Sequence, residues 1–387
     1  MRIGILSEPP RLRSPFKAGL EQARGLAERG HRVYFVVQKR SLDATACLLG
    51  GLPQNIDYLA LQSVPIVTRV LDFFTKSLRY VEGGVIDVDL GAMLVSGWHM
   101  NKKVSKIGWD CLLSHSTLSP LLMFNLYSSH ELKKVLYLFD MPIYIMMMIV
   151  NPKVKAATVK FVRRFEESVI RKADIVLCAT RGAALIWKKL FDIDSILLRF
   201  GCQPSSIFFH TKRDYVISIT SWEPQRNPLF LLDVMKALKK TDLRLIVAGR
   251  WQDKSLYEQF KASVYKRGLQ KRVIIGRNLK DQDLTELYRK AVCFIQPAGM
   301  STLYKSALEV ASQGVPIIAP FQSELWEMFE SGTHGFKVIE NNVESYVDAI
   351  SRFSDEDVLH KMSYETWKRC SEYNWSNHVA KLEKFLK

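Results

Sequence analysis

Several features that would define a protein class at once are missing from this sequence. No apolar run approaches the roughly 20 residues that a membrane-spanning helix needs, and the start "MRIGILSEPP" lacks the apolar core and cleavage site of a signal peptide. Long low-complexity, proline-rich or glycine- and serine-rich tracts are also missing, which argues against disorder. These absences predict a folded chain of 387 residues, long enough for two domains, that stays in the cytoplasm.

The cysteines are few and widely spaced. They form no C-x-x-C pair and have no histidine-rich neighbour, which favours reduced, mostly buried thiols over a disulfide framework or a zinc site. We therefore expect no metal site. The six positions are Cys47, Cys111, Cys178, Cys202, Cys293 and Cys370.

Positive charge is in excess, whereas signatures of nucleic-acid recognition are lacking. The net charge is +16, and residues 1–200 hold 28 Lys and Arg against 17 Asp and Glu. Such a surplus suits nucleic acid, anionic lipid headgroups or phosphorylated small molecules. No RNP motif, helix-turn-helix or zinc finger is present, so we expect no nucleic-acid partner. A salt-dependent gel shift would revive that alternative.

Short apolar runs alternate with amphipathic helical segments along the chain. Such runs suit strands buried on both faces, and their alternation with helices predicts an α/β fold of parallel strands joined by crossover helices. The alternation is broken near residues 198–214, so we predict two doubly wound domains, 1–205 and 213–370, and a closing segment at 371–387. The predicted strands are "MRIGIL", "RVYFVV", "CLLSH", "VLYLF" and "DIVLCA", then "YVISIT", "LRLIVAG", "RVIIG", "CFIQPA", "VPIIAP" and "GFKVI".

Arginines follow three of the predicted strands in the second domain. Arg226, Arg250 and Arg277 each fall just after a strand, where open α/β sheets bind ligands. Because the carboxyl ends of parallel strands share one edge of a sheet, we expect these side chains to point into one cleft. Arginine suits the bidentate binding of phosphate oxygens. The alternative is that all three are solvated surface residues.

The order of motifs in the second half of the chain is itself informative. It runs through "TSWEPQRNP", "AGRW", "RVIIGRNLKDQDLTELY", "QPAGMSTLYKSALEVASQGVPIIAP" and the closing "YNWSNHVAKLEKFL". This order resembles the retaining glycosyltransferases of family 4, within the glycosyl transferases group 1 family. The resemblance implies the GT-B fold, in which two Rossmann-like domains face a central cleft. It also implies that the first domain binds the acceptor, that the second binds the nucleotide sugar, and that the last helix packs back toward the first.

The resemblance assigns roles to residues of the second domain. Glu309 matches the second carboxylate of an E-x-x-x-x-x-x-x-E motif and is implied to hold the ribose hydroxyls. An ionised carboxylate can accept hydrogen bonds from both hydroxyl groups of a diol. The alternative is a helix-surface glutamate without a ligand. Arg226 matches a catalytic lysine, whereas the family's arginine is Ser221 here and its first carboxylate is Ser301. The other implied donor contacts are Arg250, Arg277, Asn278, Leu279, Met300, Thr302, Leu303 and Tyr304, and the N–H groups of the 300–304 turn suit a diphosphate.

The first domain carries weaker signals. Lys17 and Gly19 take the place of a glycine pair at the start of a helix and are implied to contact the acceptor, as is Arg181. His115 and Asp140 follow strands and are catalytic candidates. The alternatives are that His115 is an ordinary buried histidine and that Arg181 is solvated.

The resemblance implies transfer of a hexose from a nucleotide diphosphate sugar to a glycan or a lipid-linked acceptor, with retention of configuration. The base is uridine or guanosine, and neither a metal nor another cofactor is implied. The departures at Ser221 and Ser301 leave an alternative, a catalytically weak or inactive GT-B subunit that binds a sugar nucleotide or a partner enzyme.

Residues 141–172 combine an apolar run with a basic helix. The run Met141–Val150 precedes the cations Lys153, Lys155, Lys160, Arg163 and Arg164. Apolar side chains beside a basic face suit shallow binding at an anionic membrane surface, so we predict a peripheral position on the inner face of the membrane. The alternative is that the run lines the core or the cleft.

Overall fold

The structure is a computed structural model that describes most of the chain. The described residues are 1–7, 13–38, 54–61, 107–115, 132–139, 141–150, 154, 156–208, 213–238, 242–251, 253–276, 279, 281–299 and 305–387. They divide into two compact units, one formed by Met1–Gly201 with Trp375–Lys387 and the other by Cys202–Asn374. Hereafter these are called the first unit and the second unit.

The strands lie where short apolar runs occur in the sequence. In the first unit they are β1 (Arg2–Leu6), β2 (Arg32–Gln38), β3 (Asp57–Leu61), β4 (Cys111–His115), β5 (Lys133–Leu138), β6 (Ile175–Cys178) and β7 (Ile196–Leu197). In the second unit they are β8 (Tyr215–Ile219), β9 (Arg244–Ala248), β10 (Val273–Gly276), β11 (Ala291–Ile295), β12 (Ile317–Pro320) and β13 (Gly335–Val338). Strands β4, β8, β11 and β12 are buried along their whole length, as expected for strands covered on both faces.

Helices follow most of the strands. They are α1 (Arg13–Glu28), α2 (Ile143–Val150), α3 (Ala156–Ile170), α4 (Arg181–Phe191), α5 (Pro228–Ala237), α6 (Lys254–Lys266), α7 (Asp281–Arg289), α8 (Lys305–Ala311), α9 (Val343–Ser351), α10 (Glu356–Glu372) and α11 (Trp375–Leu386). Short 3₁₀ turns lie at Pro224–Arg226, Glu324–Glu327 and Arg352–Ser354.

Both sheets are parallel and share one pattern of strand order. The first runs β3-β2-β1-β4-β5-β6-β7 and the second β10-β9-β8-β11-β12-β13. In each, the order reverses beside the first strand of the unit, between β1 and β4 and between β8 and β11. Ligands of doubly wound sheets bind beyond the carboxyl ends of the strands near such a reversal. In the second unit, the segments after β8 and β11 occupy this position.

Helix α11 docks on α1 within the first unit. The two helices approach so closely that a Cβ on Gly25 would lie 2.7 Å from a methyl carbon of Val379. Farther along α11, the Glu383 carboxylate accepts hydrogen bonds from Arg29 at 2.5 Å and His31 at 3.0 Å. A hydrogen bond from Lys387, together with these two, lowers the pKa of Glu383 to about 2. The last helix is therefore held to the first unit by both packing and charge.

The carboxyl group of Glu166 in α3 closes the N-terminus of α2. One of its oxygens accepts the N–H of Ile143 at 2.7 Å, and the other accepts the N–H of Tyr144 at 3.2 Å. The side chain is buried, and this burial raises its pKa to about 7 although both hydrogen bonds oppose the rise. The two hydrogen bonds that join α2 to α3 thus depend on a carboxyl group whose ionised form is disfavoured by burial.

Replacement of Glu166 should change how the stability of the first unit depends on pH. Because the pKa of Glu166 is higher in the folded state than the ordinary 4.5, its contribution is fully present below pH 4.5 and is lost as the pH rises through about 7. We expect Glu166→Gln to reduce the loss of unfolding free energy between about pH 5 and about pH 8 by roughly 3 kcal/mol. Urea unfolding at several pH values measures the slope.

The neighbouring Glu167→Gln is the matched control, because Glu167 pairs with Arg171 at the surface. It should keep the wild-type slope. An equal slope for wild type and Glu166→Gln would contradict this account.

The expectation of reduced, mostly buried cysteines is confirmed among the described residues. Five cysteines are free and buried, namely Cys111, Cys178, Cys202, Cys293 and Cys370, whereas Cys47 lies outside the described residues. No helix in the described part of the chain has both the length and the apolar character needed to cross a membrane.

Candidate functional site

The segments after β8 and β9 continue side by side beyond the ends of the strands. Ile219 is opposite Ala248 in the sheet, and Trp222 is opposite Trp251 in the same register. The Trp222 N–H donates to the Arg250 carbonyl at 2.6 Å, and the indole N–H of Trp222 donates to the Ala248 carbonyl at 2.8 Å. The two indole rings stack with centroids 5.6 Å apart. These contacts fix both loops at the carboxyl edge of the sheet.

Gly249 makes this close approach of the two loops feasible. Its φ is +119°, and a Cβ at this position would lie 2.0 Å from the carbonyl oxygen of Thr220. No other residue type adopts this conformation at so small a distance without displacing backbone. Gly249 therefore determines where the following Arg250 begins.

Three charged side chains of these loops act on one another electrostatically. Glu223 is 4% exposed, and its burial raises the pKa of its carboxyl group, while the positive charges of Arg226 and Arg250 act in the opposite direction. The side-chain amide of Gln225 donates to the same carboxylate. Arg226 ends a 3₁₀ turn, and its backbone N–H donates to the Glu223 carbonyl at 2.9 Å. The charges of the half-buried Arg226 and the exposed Arg250, two of the three predicted arginines, thus both act on one buried carboxyl group.

Helix α8, which carries Glu309, is tied to the end of β8. The hydroxyl of Ser306 donates to the Ile219 carbonyl at 2.6 Å. Leu308 and Val310 are fully buried, as predicted for the apolar part of this helix, and Glu309 between them is half-buried. A carboxylate on the second turn of the helix therefore lies on an element anchored to the same sheet edge as Arg226.

The loop after β11 is held by the loops after β12 and β13. The Gly299 N–H donates to the Glu340 carboxylate at 2.9 Å, and the side-chain amide of Gln322 donates to the other oxygen of Glu340. The side chain of Gln296 accepts the Ser323 hydroxyl at 2.8 Å. The backbone that leads into residues 300–304 therefore starts from a position fixed by two neighbouring loops.

Several predicted site residues lie outside the described residues. They are Asp140, Arg277, Asn278, Met300, Ser301, Thr302, Leu303 and Tyr304. Leu279 is described and lies at the end of β10, where a Cβ on Gly276 would be 2.9 Å from its side chain. Ser221 is half-buried in the loop after β8.

In the first unit, His115 belongs to a chain of hydrogen bonds that reaches α11. The carbonyl oxygen of Arg199 can only accept, so Nδ1 of His378, 2.7 Å away, carries the proton. Burial lowers the pKa of His378 to about 4, so its Nε2 carries no proton and accepts a hydrogen bond from the Gln22 amide at 2.9 Å. The Gln22 oxygen then accepts Nε2–H of His115 at 2.7 Å. The last helix thereby determines the tautomer of His115.

His115 is fully buried, and its ring stacks on Phe139 with centroids 5.0 Å apart. Gly19 lies against it, since a Cβ on Gly19 would be 2.7 Å from a ring carbon of His115. Lys17 is half-buried in the first turns of α1, and Arg181 is exposed at the start of α4. The structure therefore brings Gly19 and His115 together.

Replacement of Gln22 by methionine should destabilise the first unit. The side chain is fully buried, and methionine of similar size would remove both the acceptor for His115 and the donor to His378. We expect a loss of about 2 to 4 kcal/mol of unfolding free energy, measured by urea denaturation. Glu21→Met on the same helix, at a partly exposed position, should change it by less than about 1 kcal/mol. Similar losses in both variants would argue against the hydrogen-bond chain.

Sequence reasoning missed Glu223, Glu340, Ser306, Gln22 and His378. A signal existed for Glu223 and Glu340, because each follows a strand within a few residues. None existed for Gln22 and His378, whose contact joins positions 356 residues apart.

Residues 203–374 match the family described as glycosyl transferases group 1. The chain resembles that family. This confirms the resemblance inferred from the motifs and supports a glycosyltransferase, and thus an enzyme. No curated protein matches the chain.

Solved structures are similar over the whole chain. Sucrose-phosphate synthase from Thermosynechococcus elongatus has a TM-score of 0.78 at 12% identity, covering 99% of this chain and 98% of that one. A glycosyltransferase from Rickettsia africae has 0.75 at 12%, covering 100% and 97%. Anabaena HepE in complex with UDP and glucose has 0.75 at 11%, covering 100% and 99%. At such low identities the likeness concerns the fold alone, and that fold is GT-B, with two Rossmann-like sheets.

Proposed function

We propose that this chain is a retaining glycosyltransferase of family 4 that transfers a hexose from a nucleotide diphosphate sugar to a glycan or a lipid-linked acceptor. The observation that carries the proposal is that Arg226 and Arg250 follow neighbouring parallel strands at their carboxyl ends, and that both charges act on the buried carboxyl group of Glu223. This edge lies in the part of the chain that matches group 1 glycosyl transferases. Paired guanidinium groups at such an edge suit a diphosphate.

The chemistry requires stabilisation of the leaving group. When the bond between the anomeric carbon and the diphosphate breaks, negative charge grows on the diphosphate oxygens, and Arg226 is proposed to stabilise it. Glu309 would accept the ribose hydroxyls. Ser221 and the N–H groups of residues 300–304 are the further donor contacts in this proposal, and Ser301 is a further catalytic candidate. Guanidinium groups supply the positive charge, so the proposal uses neither a metal nor another cofactor.

A nucleotide sugar as donor gains support from one structural relative. HepE from Anabaena was solved in complex with UDP-glucose, and in separate structures with UDP alone and with UDP and glucose. We extend a nucleotide-sugar donor to this chain as part of the proposal, with either uridine or guanosine as the base.

The first unit is proposed to bind the acceptor. Lys17, Gly19 and Arg181 are the candidate contacts, and His115 and Asp140 are the candidate catalytic groups. His115 is fully buried and donates to Gln22. Its contact with a substrate stays a prediction.

Arg226 provides the direct test of the mechanism. A thermal-shift panel of UDP- and GDP-hexoses identifies the donor, because a ligand that binds only the folded state raises its stability. With that donor, we expect Arg226→Ala to lower turnover by about tenfold or more, since charge on the leaving diphosphate loses a partner. Lys261→Ala, at an exposed position of α6, should retain wild-type turnover.

Three outcomes would change the proposal. Unchanged kinetics of Arg226→Ala would remove that residue from the mechanism. A product of inverted anomeric configuration, read by proton NMR, would remove the family 4 assignment. Donor binding that Glu309→Ala weakens, without any hydrolysis or transfer, would favour the inactive GT-B subunit.

The proposal extends to a membrane surface through one face of α3. Lys160, Arg163 and Arg164 are exposed, and Phe161 between them is 58% exposed. We call these four residues the α3 face. An exposed aromatic ring among cations suits shallow insertion among anionic headgroups, with each nearby cation contributing on the order of 1 kcal/mol.

The apolar run before α3 is divided between the core and the surface. Met141 and Tyr144 are buried in the core of the first unit, whereas Met148 is 41% exposed. Lys153 and Lys155 lie outside the described residues. The part of the run that remains exposed could add apolar area to the α3 face.

Flotation with lipid vesicles tests this extension. We expect binding to vesicles with anionic lipid and none to neutral vesicles, and we expect K160E/R163E/R164E to abolish it because the attraction is electrostatic. The matched control K254E/K261E/K266E reverses three exposed cations of α6 and should float like wild type. Phe161→Ala should weaken binding without changing the charge. Equal recovery of wild type in the soluble fraction with both vesicle types would end the extension.

A further inference from the structure

The hydrogen-bond chain through Gln22 has a fixed direction. It starts at the Arg199 carbonyl, which can only accept and lies 2.7 Å from Nδ1 of His378. Burial lowers the pKa of His378 to about 4, so roughly one ring in a thousand carries a second proton at pH 7. If the Gln22 amide were turned around, its oxygen would face the unprotonated Nε2 of His378. Because two acceptors would then meet, the reversed chain is disfavoured.

Aromatic rings enclose the chain. Phe139 stacks on the ring of His115 with centroids 5.0 Å apart, and the ring of Tyr137 lies 5.9 Å from that of His378. The side chains of the chain, Gln22 included, belong to residues that are at most 4% exposed. A buried donor or acceptor that loses its partner stays unsatisfied, which is costly. The neutral His115 ring is therefore held with its proton on Nε2 and a lone pair on Nδ1.

This ring lies where the first sheet changes its strand order. His115 ends β4, which pairs with β1 at the reversal, and Leu6 is opposite Ser114 there, so Ser7 is opposite His115. A Cβ on Gly19 would lie 2.7 Å from both Oγ of Ser7 and Cε1 of His115, so the missing side chain lets α1 approach the edge of the ring. The lone pair thus belongs to a residue at the position where doubly wound sheets bind ligands.

We propose that Gln22 and His378 are positioning residues for the acceptor, which keep the proton of His115 on Nε2 so that Nδ1 accepts a hydrogen bond from an acceptor hydroxyl group. This inference rests on the proposed function and adds to it the residues that orient His115. A ring protonated on Nδ1 would direct a donor at the hydroxyl group and leave the hydroxyl proton without this partner. The last helix thereby contributes to acceptor binding through Gln22 rather than by a contact of its own.

Nitrogen NMR of protein labelled in its histidine rings reads the tautomer, because the two nitrogens of a neutral imidazole are chemically distinct. We expect wild-type His115 to carry its proton on Nε2, and the loss of its signals in His115→Gln identifies them. In His378→Met the Gln22 amide loses its acceptor and should turn, since a buried carbonyl tolerates a missing partner better than an N–H group does. The amide then donates to His115, whose proton should move to Nδ1.

Turnover shows whether the tautomer matters. The assay is hydrolysis of the UDP- or GDP-hexose that raises the thermal stability of the protein, with water in place of the acceptor hydroxyl group. We expect His378→Met to lower kcat about tenfold, the effect of one lost hydrogen bond, with an unchanged KM for the donor. His378→Gln should recover most of kcat, because its amide can donate to the Arg199 carbonyl and accept from Gln22.

Val379→Ala is the matched control on the same helix. Val379 is buried and packs against Gly25 of α1, so the substitution loosens the docking of α11 but leaves the hydrogen-bond chain in place. It should keep both the Nε2 tautomer of His115 and the wild-type kcat. If His378→Met does not fold, Gln22→Met removes the acceptor of His115 directly and should lower kcat in the same way.

Three results would overturn the inference alone, provided that wild type hydrolyses the donor. They are a wild-type His115 with its proton on Nδ1, a changed tautomer in His378→Met with unchanged kcat, and an equal loss of kcat in Val379→Ala. Binding of a nucleotide sugar without hydrolysis, or no binding of any of them, would overturn the proposed function and this inference with it.

Discussion

The hydrogen bond from the Trp222 N–H to the Arg250 carbonyl is the constraint on which the candidate site depends. It extends the pairing of β8 and β9 past the strand ends, so two loops that would otherwise diverge stay parallel. Gly249 is the sterically demanding element of this pairing, because only glycine tolerates its approach to Thr220. Once the loops are paired, the register determines which side chains share a face. The charges of Arg226 and Arg250, from the loops after two different strands, thereby act on the same carboxyl group, that of Glu223.

Each unit depends on polar contacts that are remote along the chain. In the first, Gln22 bridges two histidines and so joins β4 to α11. In the second, Ser306 joins α8 to the end of β8. Burial makes such contacts valuable, since an unsatisfied polar group in the interior costs more free energy than its hydrogen bond contributes. The buried polar groups therefore specify how helices sit on a sheet whose apolar faces alone would allow several positions.

The elements that the sequence predicts well are those with a strong local pattern. Strands β4 and β8 are continuous apolar runs, and the burial of α8 follows from Leu308 and Val310. Strand β3 was not predicted, because an edge strand with one neighbour tolerates exposed polar residues such as Asp57. The site was only partly predictable for a similar reason. The arginines could be predicted because each follows a strand. The effect of both charges on Glu223 depends on the register between β8 and β9, which a local sequence pattern does not contain.

The docking of α11 on the first unit has a consequence for how the protein is made. Residues 375–387 are synthesised after the whole of the second unit, yet they supply His378 to the interior of the first. On the ribosome, the first unit is therefore incomplete, with the surface of α1 uncovered, while more than a hundred further residues are translated. Domains usually fold as they emerge, N-terminal first. In this chain the order of synthesis and the order of completion differ, and the second unit is the first to have all of its parts.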